Sequence, residues 1–519
     1  MNNARLCLRI SASALLALIG LALVSTVMTP RVEGRRLHEP LSDSPVSLSG
    51  AAYPNCRFGV GGSTQAYSVT ALNIGWSMDW LTQLNPPQPN GAEYFQVVRI
   101  KPAAGGSYVF TPPTATLQAI IDQNPGATWL IGNEPDSPAQ DKLRPELYAQ
   151  AYHQLYYLIK QRDASAQVAA GNIVQPTPLR MLYLDRVLSY YQRAYGERLP
   201  ADMWSVHSYI LRELDPADPE AVPNGPLEVW GAYIPPGITA TRGMLYTYSQ
   251  MFDPAIFRQR LLDFRAWMRD RGYGDKPLYI TEFGTLFPYI PYNADEAGPF
   301  NFVDEYGVEM DEARSATFMT KTFNVLRQLT DATVGFAPDA DRVVQRWLWY
   351  SVSDVSFGGP LFDPTTYVRR PLGDVFANYT SAIARETDLV AVSVKAESQS
   401  PVISGERHTV TLKAIIANSG NVSVTPPITV AFYAGHPLTG TLIDSRVMTF
   451  PLNGCGTTAE VSATWTNLVT GVYPIYVTVK GAGFISETTL ANNVVTGQVV
   501  LVPPQLYLPV ILKTYPWMP

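Results

Sequence analysis

Long apolar runs are almost absent from this 519-residue chain, and cysteine, histidine and positive charge are scarce too. After the stretch Ile10 to Met28, no run approaches the roughly 20 apolar residues that a membrane-spanning helix needs. That first stretch follows MNNARLCLR, which carries arginines and no acid, so 1–30 reads as an export signal, with an uncleaved anchor as the alternative. A net charge of −6 leaves no basic footprint and argues against nucleic acid as a partner. Five scattered histidines and three cysteines have no metal-ligand spacing, so no metal and no cofactor is expected. Cys7 lies in the signal. Cys56 and Cys455 fall in different domains and are expected as buried free thiols, an inter-domain disulfide being the alternative.

What the chain does have is length and apolar content, 46% hydrophobic residues against 16% charged, enough for two globular units. Arg31 to Gly50 is polar and proline-containing, and 31–52 reads as a linker. From 53 to 385, short apolar strands alternate with helical stretches. Strands are expected at Arg57, Asn73, Phe95, Thr128, Gln167, Met203, Pro277 and Arg346, with amphipathic helices such as Pro145–Arg162 and Pro254–Gly272 between them. Such alternation means parallel strands with crossover helices, and eight units suit a closed (β/α)₈ TIM barrel better than an open doubly wound sheet. The helices of the first two units are the shortest. After Ala384 the pattern turns to period two, with seven short strands and Gly, Asn and Pro turns over 386–502. This predicts an all-β immunoglobulin-like sandwich, followed by a proline-rich tail over 503–519.

Two apolar segments end in a glutamate. WLIGNEPD places Glu134 after a run from Trp129, and LYITEFGTLF places Glu282 after Leu278 and Ile280. On a barrel both would stand at the C-terminal strand ends, where active sites form. Parity puts Leu278, Ile280 and Glu282 on one strand face, which predicts that all three point into the barrel. Each glutamate also has a bland explanation. Pro135 suits the first position of a helix, making Glu134 a helix-start acid, and Glu282 could pair with a cation on a neighbouring strand. Taken together, two carboxylates at separate strand ends are what cleavage of a glycosidic bond requires.

The ordered motifs GNEP, WSVHSY and TEFG resemble the signatures of clan A glycoside hydrolases, over roughly Arg57 to Ala384. The resemblance implies a retaining enzyme with Glu134 as general acid/base on strand four and Glu282 as nucleophile on strand seven. It implies Asn133 at a sugar 2-hydroxyl, reached only if the strand has already ended there. It implies His207 and Tyr209 on strand six, with Tyr209 bonded to Glu282, although a lone histidine is more often a satisfied core residue. Two nearby carboxylates predict a higher pKa for the acid, Glu134. Arg99 would meet Glu282, the substrate or an ordinary buried ion pair. Trp349 would floor the subsite of the cleaved sugar, with Tyr350 competing one residue on. Trp80, Trp76 and Trp230 are candidate stacking platforms.

Leu211 to Tyr248 is a long segment rich in Pro, Gly and aromatics, expected as a cleft wall, and the loop Pro288 to Glu312 carries seven acids. In the sandwich, IANSGN, VAFYAG and ISETTLANN resemble a CARDB-type adhesion domain, which implies a spacer or an attachment to a cell surface or matrix. An aspartate usual in that family before the last strands is missing from VKGAGFISE, leaving no support there for a ligand role. The expectation is an extracellular retaining glycoside hydrolase acting on β-linked poly- or oligosaccharides. The rival is a non-catalytic sugar-binding surface protein on the same barrel. No G-x-S-x-G elbow supports an esterase or protease.

Overall fold

In the computed structural model, residues 55–215, 218, 232–286, 303–482 and 486–503 are described. They belong to one compact unit spanning 52–519. The expected signal, the linker, Trp230 and the tail beyond 503 lie outside the described residues, as do 287–302 of the acid-rich loop. Among the described residues, no helix is long and apolar enough to cross a membrane.

The first half forms β1 (Asn55–Gly61), β2 (Ile74–Met78), β3 (Glu93–Ala103), β4 (Ser107–Thr111), α1 (Thr114–Gln123), β5 (Thr128–Ile131), α2 (Pro145–Arg162), β6 (Gln167–Ile173), α3 (Pro178–Tyr195) and β7 (Met203–His207). Next come α4 (Pro254–Asp270), β8 (Leu278–Phe283), α5 (Glu312–Gln328), β9 (Arg346–Tyr350) and α6 (Pro371–Ser381). β1 pairs in parallel with both β2 and β9, and the other neighbours are parallel all the way round, so eight strands close into a barrel. The eight expected strands are these eight. β4 stands apart as an antiparallel partner of the overhanging end of β3.

Proline opens α2, α3, α4 and α6, where its missing N–H costs nothing, and Asp253 and Asp311 cap α4 and α5 by accepting from Ala255 N and Arg314 N. The crossovers after β1 and β2 hold only 3₁₀ turns, Val69–Leu72 and Pro89–Gly91, because those segments are short and the second is proline-rich. The barrel interior is filled by Trp76, Met78, Phe95, Val97, Leu130, Ala169, Met203, Tyr279 and Leu348. Trp76 is therefore a core residue stacked on Phe95 at 4.3 Å, not a sugar platform. Glycine in β1 permits this, since a Cβ on Gly59 would sit 2.6 Å from the Trp76 ring.

β10 (Leu389–Ser398), β11 (His408–Asn418), β12 (Ile428–Ala434), β13 (Thr441–Met448), β14 (Thr457–Leu468), β15 (Gly471–Gly481) and β16 (Val494–Leu501) form two antiparallel sheets, β10-β11-β14 and β13-β12-β15-β16. Leu412, Ile416, Val430, Phe432 and Val477 are among the side chains buried between them.

The expectation of free thiols is overturned at the junction of barrel and sandwich. Cys56 and Cys455 form a disulfide with a Cα–Cα distance of 6.1 Å. Beside it, Arg57 bonds both Asp339 oxygens at 2.9 Å and donates to the Ser419 carbonyl at 2.8 Å. Cys56 N also donates to Asn421 O at 3.0 Å, which brings the start of β1 against the sandwich. A separation of 399 residues hid this proximity from sequence spacing.

Candidate active site

β5 ends at Ile131, and the chain then turns sharply through Gly132 (φ +77°) and Glu134 (φ +45°). Asn172 O accepts from Glu134 N at 2.9 Å and fixes the turn. No helix starts here: the next one is α2 at Pro145, so the helix-start explanation of Glu134 fails. Because the strand has ended, Asn133 and Glu134 both reach the cavity despite their opposite parity.

Glu282 arrives by another route than parity predicts. Leu278 and Ile280 pack outward into the layer between strands and helices, and Tyr279 is the residue of β8 that fills the barrel. Register shifts against both β7 and β9 occur at this end of β8. After them Glu282 stands opposite His207 and borders the cavity, while Phe283 packs outward. The irregularity, not the alternation, turns the carboxylate inward.

The cavity is open to solvent, ≈ 600 Å³, and bordered by Trp80, Arg99, Asn133, Glu134, Tyr209 and Glu282 from the expected set. Glu282 is held by two donors, Tyr209 Oη on Oε1 at 2.6 Å and Trp80 Nε1 on Oε2 at 2.9 Å. His207 lies behind the cavity, 1% exposed, with Nδ1 3.0 Å from Glu134 Oε1 and 3.6 Å from Glu282 Oε2. Among the described residues neither glutamate has a Lys or Arg ion pair, and the cation that Glu282 meets on its neighbouring strand is His207 in its protonated form. One atom each of Glu134, His207 and Glu282 lie within 4.8 Å of one another, a trio that a cation could use.

Burial pushes the pKa of Glu282 up, helped by the neighbouring Glu134 charge and opposed by His207, Tyr209 and Trp80. The upward shift lies on Glu282, the carboxylate expected to be the nucleophile. His207 pays for its burial, which lowers its pKa, but the charge of Glu282 and the hydrogen bond to Glu134 carry it above the ordinary value. Burial, followed by the Glu282 charge, raises Tyr209 well above a free tyrosine, keeping it a neutral donor.

Two further expectations change. Arg99 borders the cavity but does not meet Glu282. Its Nε pairs with Asp141 at 2.7 Å and Nη2 donates to Gln140 at 3.0 Å, the ordinary ion pair. Trp349 is fully buried outside the barrel, edge-on to Phe283 at 5.4 Å, with Nε1 donating to Gly359 O. Parity decides this: Trp347 and Trp349 face the helices, and Tyr350 reaches the cavity beside Trp80 at 5.4 Å.

Sequence reasoning missed Gln140, Tyr233 and Phe357 on the cavity wall and the fully buried Asp136–Arg180–Glu213 ion triad beneath it. The only available signal was Asp136, two residues after Glu134. A larger cleft, ≈ 1180 Å³, lies at the opposite end of the barrel against the sandwich. Its Glu93 is engaged by Arg346 and Thr128, both at 2.6 Å, so size does not mark the chemistry.

No family model and no curated protein matches the chain. Among solved structures, a GH128 endo-β-1,3-glucanase from Sorangium cellulosum is 16% identical, with 62% of this chain and 98% of that chain covered and a TM-score of 0.36. Its counterpart from Pseudomonas viridiflava is 15% identical, covering 62% and 96%, with a TM-score of 0.39. The CARDB domain of a Pyrococcus furiosus protein, crystallised with di-metal ions, is 22% identical over 24% of this chain and all of that one, at a TM-score of 0.18. Likeness at these scores carries no inference about chemistry.

Proposed function

We infer that this chain is a retaining glycoside hydrolase acting on β-linked poly- or oligosaccharides. One observation carries the reading: Glu134 and Glu282 oxygens lie within 4.8 Å of each other on the wall of an open cavity. Retaining pairs stand about 5–5.5 Å apart, whereas inverting pairs need roughly 6.5–9.5 Å to admit a water. Trp80 and Tyr350 supply aromatic faces of the kind that pyranose rings stack on.

In the first step, Glu282 attacks the anomeric carbon while Glu134 gives its proton to the departing oxygen, leaving a glycosyl ester on Glu282. In the second, Glu134 takes a proton from water, whose oxygen attacks the same carbon and releases Glu282. Two inversions give net retention. The donors Tyr209 and Trp80 favour the ionised form of Glu282 that the first step needs. His207 Nδ1 faces Glu134 and can accept from its protonated form or donate to its ionised form.

The test is azide rescue on whichever member of a β-glucan and β-glycoside panel, including a β-1,3-glucan, the wild type cleaves. In Glu282→Ala, azide occupying the vacated side displaces the leaving group once and gives the inverted glycosyl azide. In Glu134→Ala, azide replaces water in the second step and gives the retained one. Reversed products would exchange the two roles, and near-native activity in Glu282→Ala would sink the assignment.

Secretion to an oxidising compartment is proposed with this activity, supported by the arginine-flanked apolar stretch at Ile10 to Met28 and by the Cys56–Cys455 bridge. The sandwich is proposed as a spacer or attachment module. Detecting the protein in culture medium or on the cell surface tests both.

A further inference from the structure

We propose that Arg180 is a positioning residue that locks the turn bearing Glu134 to the cavity wall at Tyr233, setting where the general acid stands and what charge surrounds it. The proposal rests on the glycosidase reading of Glu134. Arg180 sits in the first turn of α3, fully buried, and shares its guanidinium among three residues of two loops. Nη1 bonds the carboxylate and the carbonyl of Asp136, two residues beyond Glu134. Nε donates to Glu213 Oε1 at 2.9 Å, in the segment after β7, and Nη2 donates to Tyr233 O at 2.7 Å. Tyr233 borders the cavity, so one planar cation joins the acid's turn to a wall of the site.

The anchors are themselves fixed. Asp136 Oδ1 accepts from Val174 N at 3.2 Å. Glu213 accepts from Thr177 Oγ1 at 2.6 Å and from Met244 N at 2.9 Å. Gly243 is required there, because a Cβ would lie 2.3 Å from Glu213 Oε2. A buried cation between two buried carboxylates has no role in closing the barrel, whose strands pair without it. Its three partners all belong to the loops at the catalytic end.

The charge matters as well as the geometry. Around Glu134 stand His207 on β7, Glu282 on β8, Tyr209 just beyond β7, Tyr350 on β9, and Asp136 with Arg180 below. Asp136 raises the pKa of His207, and Arg180 offsets that negative charge. Removing Arg180 therefore leaves His207 in a more negative field and makes it hold its proton to higher pH. Removing the Asp136 charge acts in the opposite direction.

The experiment compares Arg180→Met, Arg180→Lys and Asp136→Asn with wild type, reading the pH profile of kcat/KM on a cleaved β-glycoside and the NMR titration of the His207 ring without substrate. Arg180→Met is expected to move the alkaline limb and the His207 pKa upward, Asp136→Asn to move both downward, each by about half a pH unit or more. Arg180→Lys keeps the charge but not the fork, so its limb stays in place while KM rises severalfold. Unmoved limbs and an unmoved His207 titration in folded Asp136→Asn or Arg180→Met overturn the proposal, as does a wild-type KM in Arg180→Lys. If Arg180→Met does not fold, the other two variants decide. If wild type cleaves no glycoside, the glycosidase reading fails by itself, and the His207 titration still reports on Arg180.

Discussion

Tyr209 donates its hydroxyl to Glu282 Oε1 at 2.6 Å, from the segment just after β7 to the end of β8. This bond lowers the pKa of Glu282, against the larger upward push of burial. Tyr209→Phe therefore leaves a carboxylate that is harder to ionise. A hydrogen bond to a charged group contributes roughly 1.5–3 kcal/mol, so kcat should fall about 10- to 100-fold. The acidic limb of kcat/KM, which reports ionisation of the nucleophile, should move to higher pH. An unmoved limb in the folded variant would show that Tyr209 does not tune Glu282.

The exchange of Trp349 for Tyr350 is testable by two truncations with opposite signatures. Trp349→Ala empties a site packed against Phe283 and Phe323 and should cost about 3–5 kcal/mol of stability, with KM nearly unchanged in the folded protein. Tyr350→Ala removes a ring from the cavity and should raise KM about tenfold with a smaller loss of stability, as one lost stacking contact implies. Thermal melts with initial rates on the same preparations check both.

Strand positions were legible because apolar runs bounded by Gly, Pro and Asn are local signals, and all eight barrel strands and seven sandwich strands lie where the pattern puts them. The side on which a residue emerges was less so. Leu278, Ile280 and Glu282 obey one parity on paper, yet the shifted register near Glu282 reverses its face, and only contacts with β7 and β9 create that shift. Trp349 shows the converse: the strand is regular, but sequence does not say which face looks inward. Arg180, Gln140 and Asp141 were invisible because their meaning lies in partners 7 to 53 residues away across loops, not in any motif.

Chelation should leave activity intact. The trio of Glu134, His207 and Glu282 has the spread of a metal site, but its members are already hydrogen-bonded, His207 Nδ1 with Glu134, and Glu282 with Tyr209 and Trp80. Dialysis against EDTA is expected to give unchanged kcat, while added Zn²⁺ should inhibit by competing for those same atoms. Loss of activity on chelation, restored by a divalent ion, would replace the double-displacement reading with metal-assisted hydrolysis.

Replacing Cys455 by Ser should loosen the junction between barrel and sandwich. The bridge closes a loop of 399 residues, and loop-closure entropy makes long loops the most stabilising, with typical measured values of about 2–4 kcal/mol. Cys455→Ser, or reduction of the native protein, should lower the melting temperature, while the site at the far end of the barrel keeps its KM. Non-reducing peptide mapping should recover the Cys56 and Cys455 peptides as one species. Two free, alkylatable thiols in the purified protein would restore the reading as buried cysteines.

Glu282 predicts a trade between activity and stability whose sign follows from its raised pKa. A carboxyl whose folded pKa lies above its unfolded value binds its proton more tightly when folded. Its contribution to stability is therefore fully present below the unfolded pKa, near 4.5, and is lost as pH rises through the folded one. At neutral pH the ionised group opposes folding, chiefly because burial deprives it of water. Glu282→Gln keeps the shape and acceptor oxygen but removes the charge, so it should melt higher than wild type at pH 7. The gap should narrow as pH falls toward 4, where Glu282 is protonated in both states. His207 sharpens the test, since the Glu282 charge is the first of the causes that raise its pKa against burial, and that pKa should fall in Glu282→Gln. Calorimetric melts of both proteins from pH 4 to 8 measure the gap directly. A variant less stable than wild type at pH 7 would mean that the donors Tyr209 and Trp80 outweigh the burial of Glu282.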